Sequence, residues 1–143
     1  MKPLALSKAI DIIAAVFILL FVYTGTSKLI THNRFLITLE QLPIVSLRST
    51  LFSWSIPVTE LMVAVLLFIP RLRLSGLKAS LVLMAVFTVY VASMLISSSN
   101  LPCSCGGIIN KLTWQQHLWL NVALTLLAAA AIYFNKRLKF LFE

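Results

Sequence analysis

Four long apolar stretches, almost free of charge and without strand-like alternation, predict an all-α fold: an integral membrane four-helix bundle with a short interfacial helix between the first two spans. Of the 143 residues, 60% are hydrophobic and 11% charged, whereas soluble chains run near half apolar and a quarter charged. A hydrocarbon core takes roughly 20 helical residues to cross. The stretches from Ala9 to Ile30, Leu51 to Ile69, Gly76 to Ser97 and Leu118 to Phe134 reach or approach that length. Spanning strands would alternate apolar and polar positions; these segments do not, and helices satisfy every backbone group within one segment.

The first span carries Asp11 near its start, which reads as a snorkelling group or the partner of a basic residue, and ends in Gly25-Thr26-Ser27-Lys28. No small-residue cleavage site of the A-x-A kind follows it, so it is expected to be retained. Between the first two spans, Asn33 is placed to cap a short helix in which Phe35, Leu36, Leu39 and Leu42 recur at helical spacing until Pro43. Its polar Arg34, Glu40 and Gln41 suit a helix lying at the interface, either over the bundle or as a plain connector. The second span holds Pro57 and, three residues on, Glu60. In the third, Gly76, Ala79 and Ala85 allow close helix approach; in the fourth, Ala128 to Ala131 do the same, while Asn121 and Thr125 are suited to hydrogen bonds across the bundle. No linker, repeat or low-complexity tract interrupts the chain, so residues 1–143 read as one domain.

Basic residues accumulate on cytoplasmic ends and loops. With the N-terminus inside, Lys2, Lys8, Arg71, Arg73, Lys78, Lys136, Arg137 and Lys139 are cytoplasmic, leaving Lys28, Arg34, Arg48 and Lys111 outside. Both termini are therefore expected in the cytoplasm. The net charge of +8 is a topology signal and an attraction to anionic lipid, with no nucleic-acid surface implied.

The strongest chemical signal is Pro102-Cys103-Ser104-Cys105-Gly106-Gly107, which holds both cysteines of the chain in the third loop. The predicted topology puts that loop outside the cytoplasm, where disulfides persist. Two fully extended residues separate their Cα atoms by roughly 7 Å, the upper limit for a disulfide, so a bridge requires a turn. Pro102, Ser104, Gly106 and Gly107 supply it. Tight exposed bridges belong to the labile, catalytic kind, and this one closes too short a loop to stabilise the fold. Cys103 and Cys105 are thus candidate catalytic thiols; a static disulfide, unpaired thiols or a metal site are the alternatives. A zinc set could recruit His32 and His117, or the thiolates could hold Cu(I), although the spacing matches no standard zinc pattern.

Three residues are supporting candidates. Glu60 lies mid-span, where an ionisable group must face the bundle interior, water or a partner. Lys28, near the outer surface, either snorkels, pairs with Glu60, or joins it in holding an anionic headgroup or a quinone-like molecule. His117 stands among Trp114, Gln115, Gln116 and Trp119, which read as an interfacial belt. It is either a solvated belt residue or a base or charge partner lowering a cysteine pKa.

Taken in order, Gly25-Thr26-Ser27-Lys28, Ile56-Pro57-Val58-Thr59-Glu60, Pro70 and Cys103-Ser104-Cys105-Gly106 resemble the MauE/DoxX family, and the likeness covers nearly the whole chain. MauE is the methylamine utilisation protein, a small four-helix membrane protein. The resemblance implies a bacterial inner-membrane protein assisting periplasmic thiol/disulfide chemistry and maturation of disulfide-bearing proteins, in the methylamine system the small subunit of methylamine dehydrogenase. Gly106-Gly107 stands where the family carries Phe-Gly, which loosens the link to methylamine. The DoxX relatives include subunits linked to thiosulfate and quinone oxidation, so membership alone fixes no substrate.

Two functional classes follow. As a thiol-disulfide oxidoreductase component, one cysteine attacks and the other resolves. Quinone-coupled membrane enzymes of that type relay electrons between two cysteine pairs; having one pair, this chain would exchange electrons with a quinone, with a thioredoxin-like periplasmic protein or with a disulfide-bearing client. As a non-enzymatic scaffold or accessory subunit of a quinone-linked oxidoreductase, it would hold a client beside another enzyme. Membrane lipid is a partner in either case.

Overall fold

The computed structural model describes residues 3–41, 46–96 and 113–142. Its helices are α1 (Pro3–Ile30), α2 (His32–Glu40), α3 (Ser49–Phe68, entered through a 3-10 turn at Ser46–Arg48), α4 (Arg73–Ile96) and α5 (Trp114–Phe142). By length and composition, α1, α3, α4 and α5 can each cross a membrane. The all-α bundle predicted from the sequence is the one found, with helices that outrun the apolar stretches at their polar ends. Pro3 opens α1, where the missing N–H has no intrahelical acceptor to lose. α5 starts earlier than expected because Thr113 and Gln116 form a reciprocal cap: the Thr113 Oγ1 accepts from the Gln116 backbone N–H at 3.3 Å, and the Gln116 Oε1 accepts from that of Thr113 at 3.1 Å.

Successive spans run antiparallel. α1 packs chiefly on α3 and α4 on α5, with α1 also touching α5 and α3 touching α4. Phe17, Phe21, Val63, Ala64, Leu67, Leu77, Met84, Ala128 and Ala131 form the buried core. The outer faces are equally apolar, with Ile12, Leu19, Val65, Val82, Val89 and Leu126 exposed. In lipid this is the low-energy arrangement, since packing rather than water exclusion joins the helices. Small residues set two close approaches. A Cβ on Gly25 would meet the Pro57 carbonyl oxygen at 3.2 Å, and one on Gly76 would meet the Leu67 backbone nitrogen at 2.9 Å. Ala85, by contrast, is exposed.

Hydroxyls inside the spans donate back to their own helices. Thr24 bonds the Leu20 carbonyl at 2.9 Å, Ser80 that of Gly76 at 2.8 Å and Thr125 that of Asn121 at 2.7 Å. This leaves few polar groups unsatisfied in a medium that offers no water. One such pair also reaches across the bundle, Thr88 Oγ1 to Thr125 Oγ1 at 3.3 Å.

The short helix departs from its expected details. Asn33 lies inside α2, whose cap position is Thr31, and no side chain caps it. Phe35, Thr38 and Leu39 form its buried face; Thr38 replaces Leu36 there because the helix leans on α3 along that stripe. Leu42 and Pro43 lie outside the described residues. At the opposite end of the bundle Asp11 pairs with Arg73, an arginine at the α3–α4 turn that also reaches the Leu67 carbonyl at 3.4 Å. Lys8, Arg71, Lys78, Lys136, Arg137 and Lys139 share that end, whereas Lys28, Arg34 and Arg48 belong to the other.

Candidate functional site

The close approach at Gly25 brings the end of α1 against the middle of α3. Lys28 follows Gly25 by three residues, roughly one helical turn, and its four-carbon stem spans the gap to Glu60. The ammonium reaches both carboxylate oxygens, Nζ to Oε1 at 2.7 Å and to Oε2 at 3.0 Å. Both side chains are buried, at 6% and 1% exposure. Of the readings open for Lys28, the ion pair is the one the structure contains, and snorkelling is excluded by burial. Pro57 is accommodated within a helix that continues through it from Ser49 to Phe68.

Beside this pair lies a cavity of about 310 Å³ bounded by all five helices. Its walls are apolar and aromatic, with Phe35 from α2, Phe52 from α3, and Phe87 and Tyr90 from α4. The Phe87 ring also takes the Lys28 ammonium at 5.5 Å from its centroid, a cation–π contact that adds to the carboxylate's hold. Its polar lining comprises Thr24 and Lys28 from α1, Thr38 from α2, Glu60 from α3, and His117 and Asn121 from α5.

His117 is buried, at 5% exposure, which corrects the reading of a solvated belt residue. Trp119, two positions on, faces outward at 73%, so the histidine turns away from it into the bundle. Asn121 follows His117 by one helical turn on the same face. Among the described residues its buried side-chain nitrogen has no hydrogen-bond partner, so the cross-bundle bond expected of it is not found there. An orphaned amide donor in an apolar wall costs about 1–3 kcal/mol. Sequence reasoning assigned Asn121 to architecture; its i, i+4 relation to His117 was the signal that both share one surface.

His32 lies elsewhere. Its Nε2 is 3.0 Å from the Ser53 hydroxyl and its ring meets Trp54 with centroids 4.4 Å apart. It does not line the cavity. Among the described residues no three of His, Cys, Asp and Glu gather closely enough to hold a metal ion. Cys103 and Cys105 lie outside the described residues. In the chain they fall between Ile96, where α4 ends, and Trp114, where α5 begins.

Residues 6–134 match the family described as methylamine utilisation protein MauE. The chain belongs to the MauE family. The match takes in α3 and α4 whole, most of α1 and α5, the Lys28–Glu60 pair and both cysteines. No curated protein and no solved structure matches the chain significantly. This is therefore a multi-pass membrane protein of the MauE family in which Lys28, Glu60, His117 and Asn121 line one cavity.

Proposed function

We propose that this MauE-family protein is a component of thiol/disulfide exchange on the outer face of a bacterial inner membrane, with Cys103 and Cys105 as the working pair. The observation that carries the reading is the pair itself: both cysteines of the chain stand one residue apart, in the segment that joins α4 to α5. The charge pattern supports the location. Lys8, Arg71, Arg73, Lys78, Lys136, Arg137 and Lys139 share one end of the bundle, and the positive-inside rule makes that end cytoplasmic. The cysteine-bearing segment then faces the periplasm.

The chemistry is an exchange of sulfur bonds. A thiolate attacks a client disulfide to form a mixed disulfide, and the second cysteine displaces the client thiolate, closing the Cys103–Cys105 bond. The client leaves reduced by two electrons, or in the reverse sense oxidised by two. A thioredoxin-like periplasmic protein or a disulfide-bearing client of the methylamine system fits this role. Maturation of such clients is the physiological output.

A redox titration of the purified protein, read by thiol alkylation and mass, tests the reading. A reversible two-electron couple at Cys103 and Cys105, with turnover of a disulfide-bearing model peptide, is expected. Thiols that do not interconvert with a disulfide over the range of biological potentials would leave the protein a non-enzymatic scaffold.

A further inference from the structure

We propose that the cavity between the five helices seats one acyl chain of a membrane phospholipid, admitted sideways from the bilayer between α3 and α4. Three observations carry the site. The first is where the cavity lies. It is lined by Phe52, Ile56 and Glu60 of α3 and by residues of α4 from Leu83 to Val91. The same two helices meet tightly at their other ends, where a Cβ on Gly76 would sit 2.9 Å from the Leu67 backbone nitrogen. Among the described residues, α2 covers the end away from that contact. Its Phe35 and Leu39 pack against Ile56 of α3 and Tyr90 of α4, and its His32 meets the Ser53 hydroxyl at 3.0 Å. Water on that side faces a roof. Phe52 and Val86, by contrast, line the cavity while being 40% and 57% exposed on helices that span the membrane. The mouth is therefore lateral, toward lipid.

The second observation is that the polar lining is already engaged. Lys28 holds both oxygens of Glu60, Thr24 donates to the Leu20 carbonyl and Thr38 to that of Arg34. His117 is engaged as well, and the Asn121 side-chain nitrogen is closed off from the space. A water held in a cavity needs about two to four polar partners, and a charged headgroup would meet an ion pair that cancels itself. Neither finds its partners here.

The third is what the walls offer and what the medium supplies. Leu83, Met84, Phe87 and Leu124 present an apolar surface, and an empty space beside them forfeits dispersion contacts along its whole lining. An acyl chain restores those contacts and has no hydration shell to lose. The volume of about 310 Å³ takes part of one chain, leaving the headgroup and the second chain in the bilayer. A seated chain also shuts water out from the Lys28–Glu60 pair, whose attraction grows as the local dielectric falls. The site rests on the cavity alone and stands whether or not the thiols exchange.

The test is photolabelling of the full-length protein in phosphatidylcholine nanodiscs that contain a phosphatidylcholine with a mid-chain diazirine, mapped by mass spectrometry and repeated with a water-soluble diazirine. The lipid probe should modify Phe87 and Leu124 in the cavity wall as well as Val65 and Leu126, which are exposed to the bilayer. The water-soluble probe should modify none of the four. Val86→Trp sets a ring at the mouth from an exposed position and should lower the adducts at Phe87 and Leu124 severalfold. Leu124→Trp fills the space from within and should do the same at Phe87. Unchanged adducts at Val65 and Leu126 show that each variant keeps the fold. Lipid adducts confined to Val65 and Leu126, or wall adducts indifferent to both variants, would reduce the contact to ordinary bilayer solvation and overturn the proposal. Wall adducts from the water-soluble probe in place of the lipid one would overturn it too, since the cavity would then hold water.

Discussion

Replacing Lys28 by Met strands the Glu60 carboxylate in a wall that leaves it 1% exposed. The magnitude follows from the geometry. At 2.7 Å and an effective dielectric of about 20, the attraction is about 6 kcal/mol. Removing one partner of a buried pair costs about 3–5 kcal/mol once the stranded group relaxes. Glu60→Leu should cost a similar amount by stranding Lys28, to which the neighbouring Phe35 and Phe87 offer ring faces at 6.0 and 5.5 Å. The double variant Lys28→Met/Glu60→Leu removes both charges at similar volume, and should fall within about 1 kcal/mol of the parent. The assay is reversible unfolding in mixed micelles titrated with SDS, followed by circular dichroism. Additive single costs, or single costs below about 1 kcal/mol, would refute the reasoning, because they would mean that water or lipid headgroups solvate both charges.

Other outcomes follow from local geometry. Gly76→Ala should destabilise more than Gly25→Ala in the same unfolding assay, since its Cβ would sit 2.9 Å from the Leu67 backbone nitrogen rather than 3.2 Å from its nearest neighbours; overpacking of this kind costs about 1–3 kcal/mol. Thr113→Ala should lose about 1 kcal/mol by removing the Gln116 cap, and amide exchange should rise in the first turn of α5 alone. A thiol reagent that cannot cross the membrane should label reduced Cys103 and Cys105 in intact spheroplasts. Labelling only after lysis would reverse the orientation that the basic residues imply. Glu60→Gln should leave the protein in the membrane while lowering client maturation, and full activity with Gln would confine Glu60 to packing.

The helices were legible because hydrocarbon thickness imposes length and polarity with little ambiguity. The inward faces were not. Phe17 and Leu19 are both apolar, yet one is fully buried and the other 72% exposed, because in lipid the two faces of a span need not differ in polarity. Glu60 and Lys28 were legible as a pair because mid-span charge requires a partner. The depth offset between them was closed by the lysine's reach and by the contact at Gly25, which depends on where two helices cross. His117 misled for a related reason: its Trp and Gln neighbours describe the interface level but not the face of the helix. Asn121 was visible as a polar residue, while its lack of a partner among the described residues is a property of the packed helices. Thr113 and Gln116 carry a recognisable capping spacing, and they moved the start of α5 back from Leu118 to Trp114.

The central claim is that Cys103 and Cys105 act as a pair, and single-cysteine trapping tests it most directly. With the resolving residue replaced by Ser, the attacking thiol should remain joined to its periplasmic partner as an adduct on a non-reducing gel, released by reductant. The other single variant should give no such adduct, and the difference assigns the two roles. The double variant should insert and fold as the parent does, since a bridge closing so short a loop contributes little stability. If Cys103→Ser, Cys105→Ser and the double variant all support client maturation at the parental rate, the thiols are not the working groups and the protein is a scaffold.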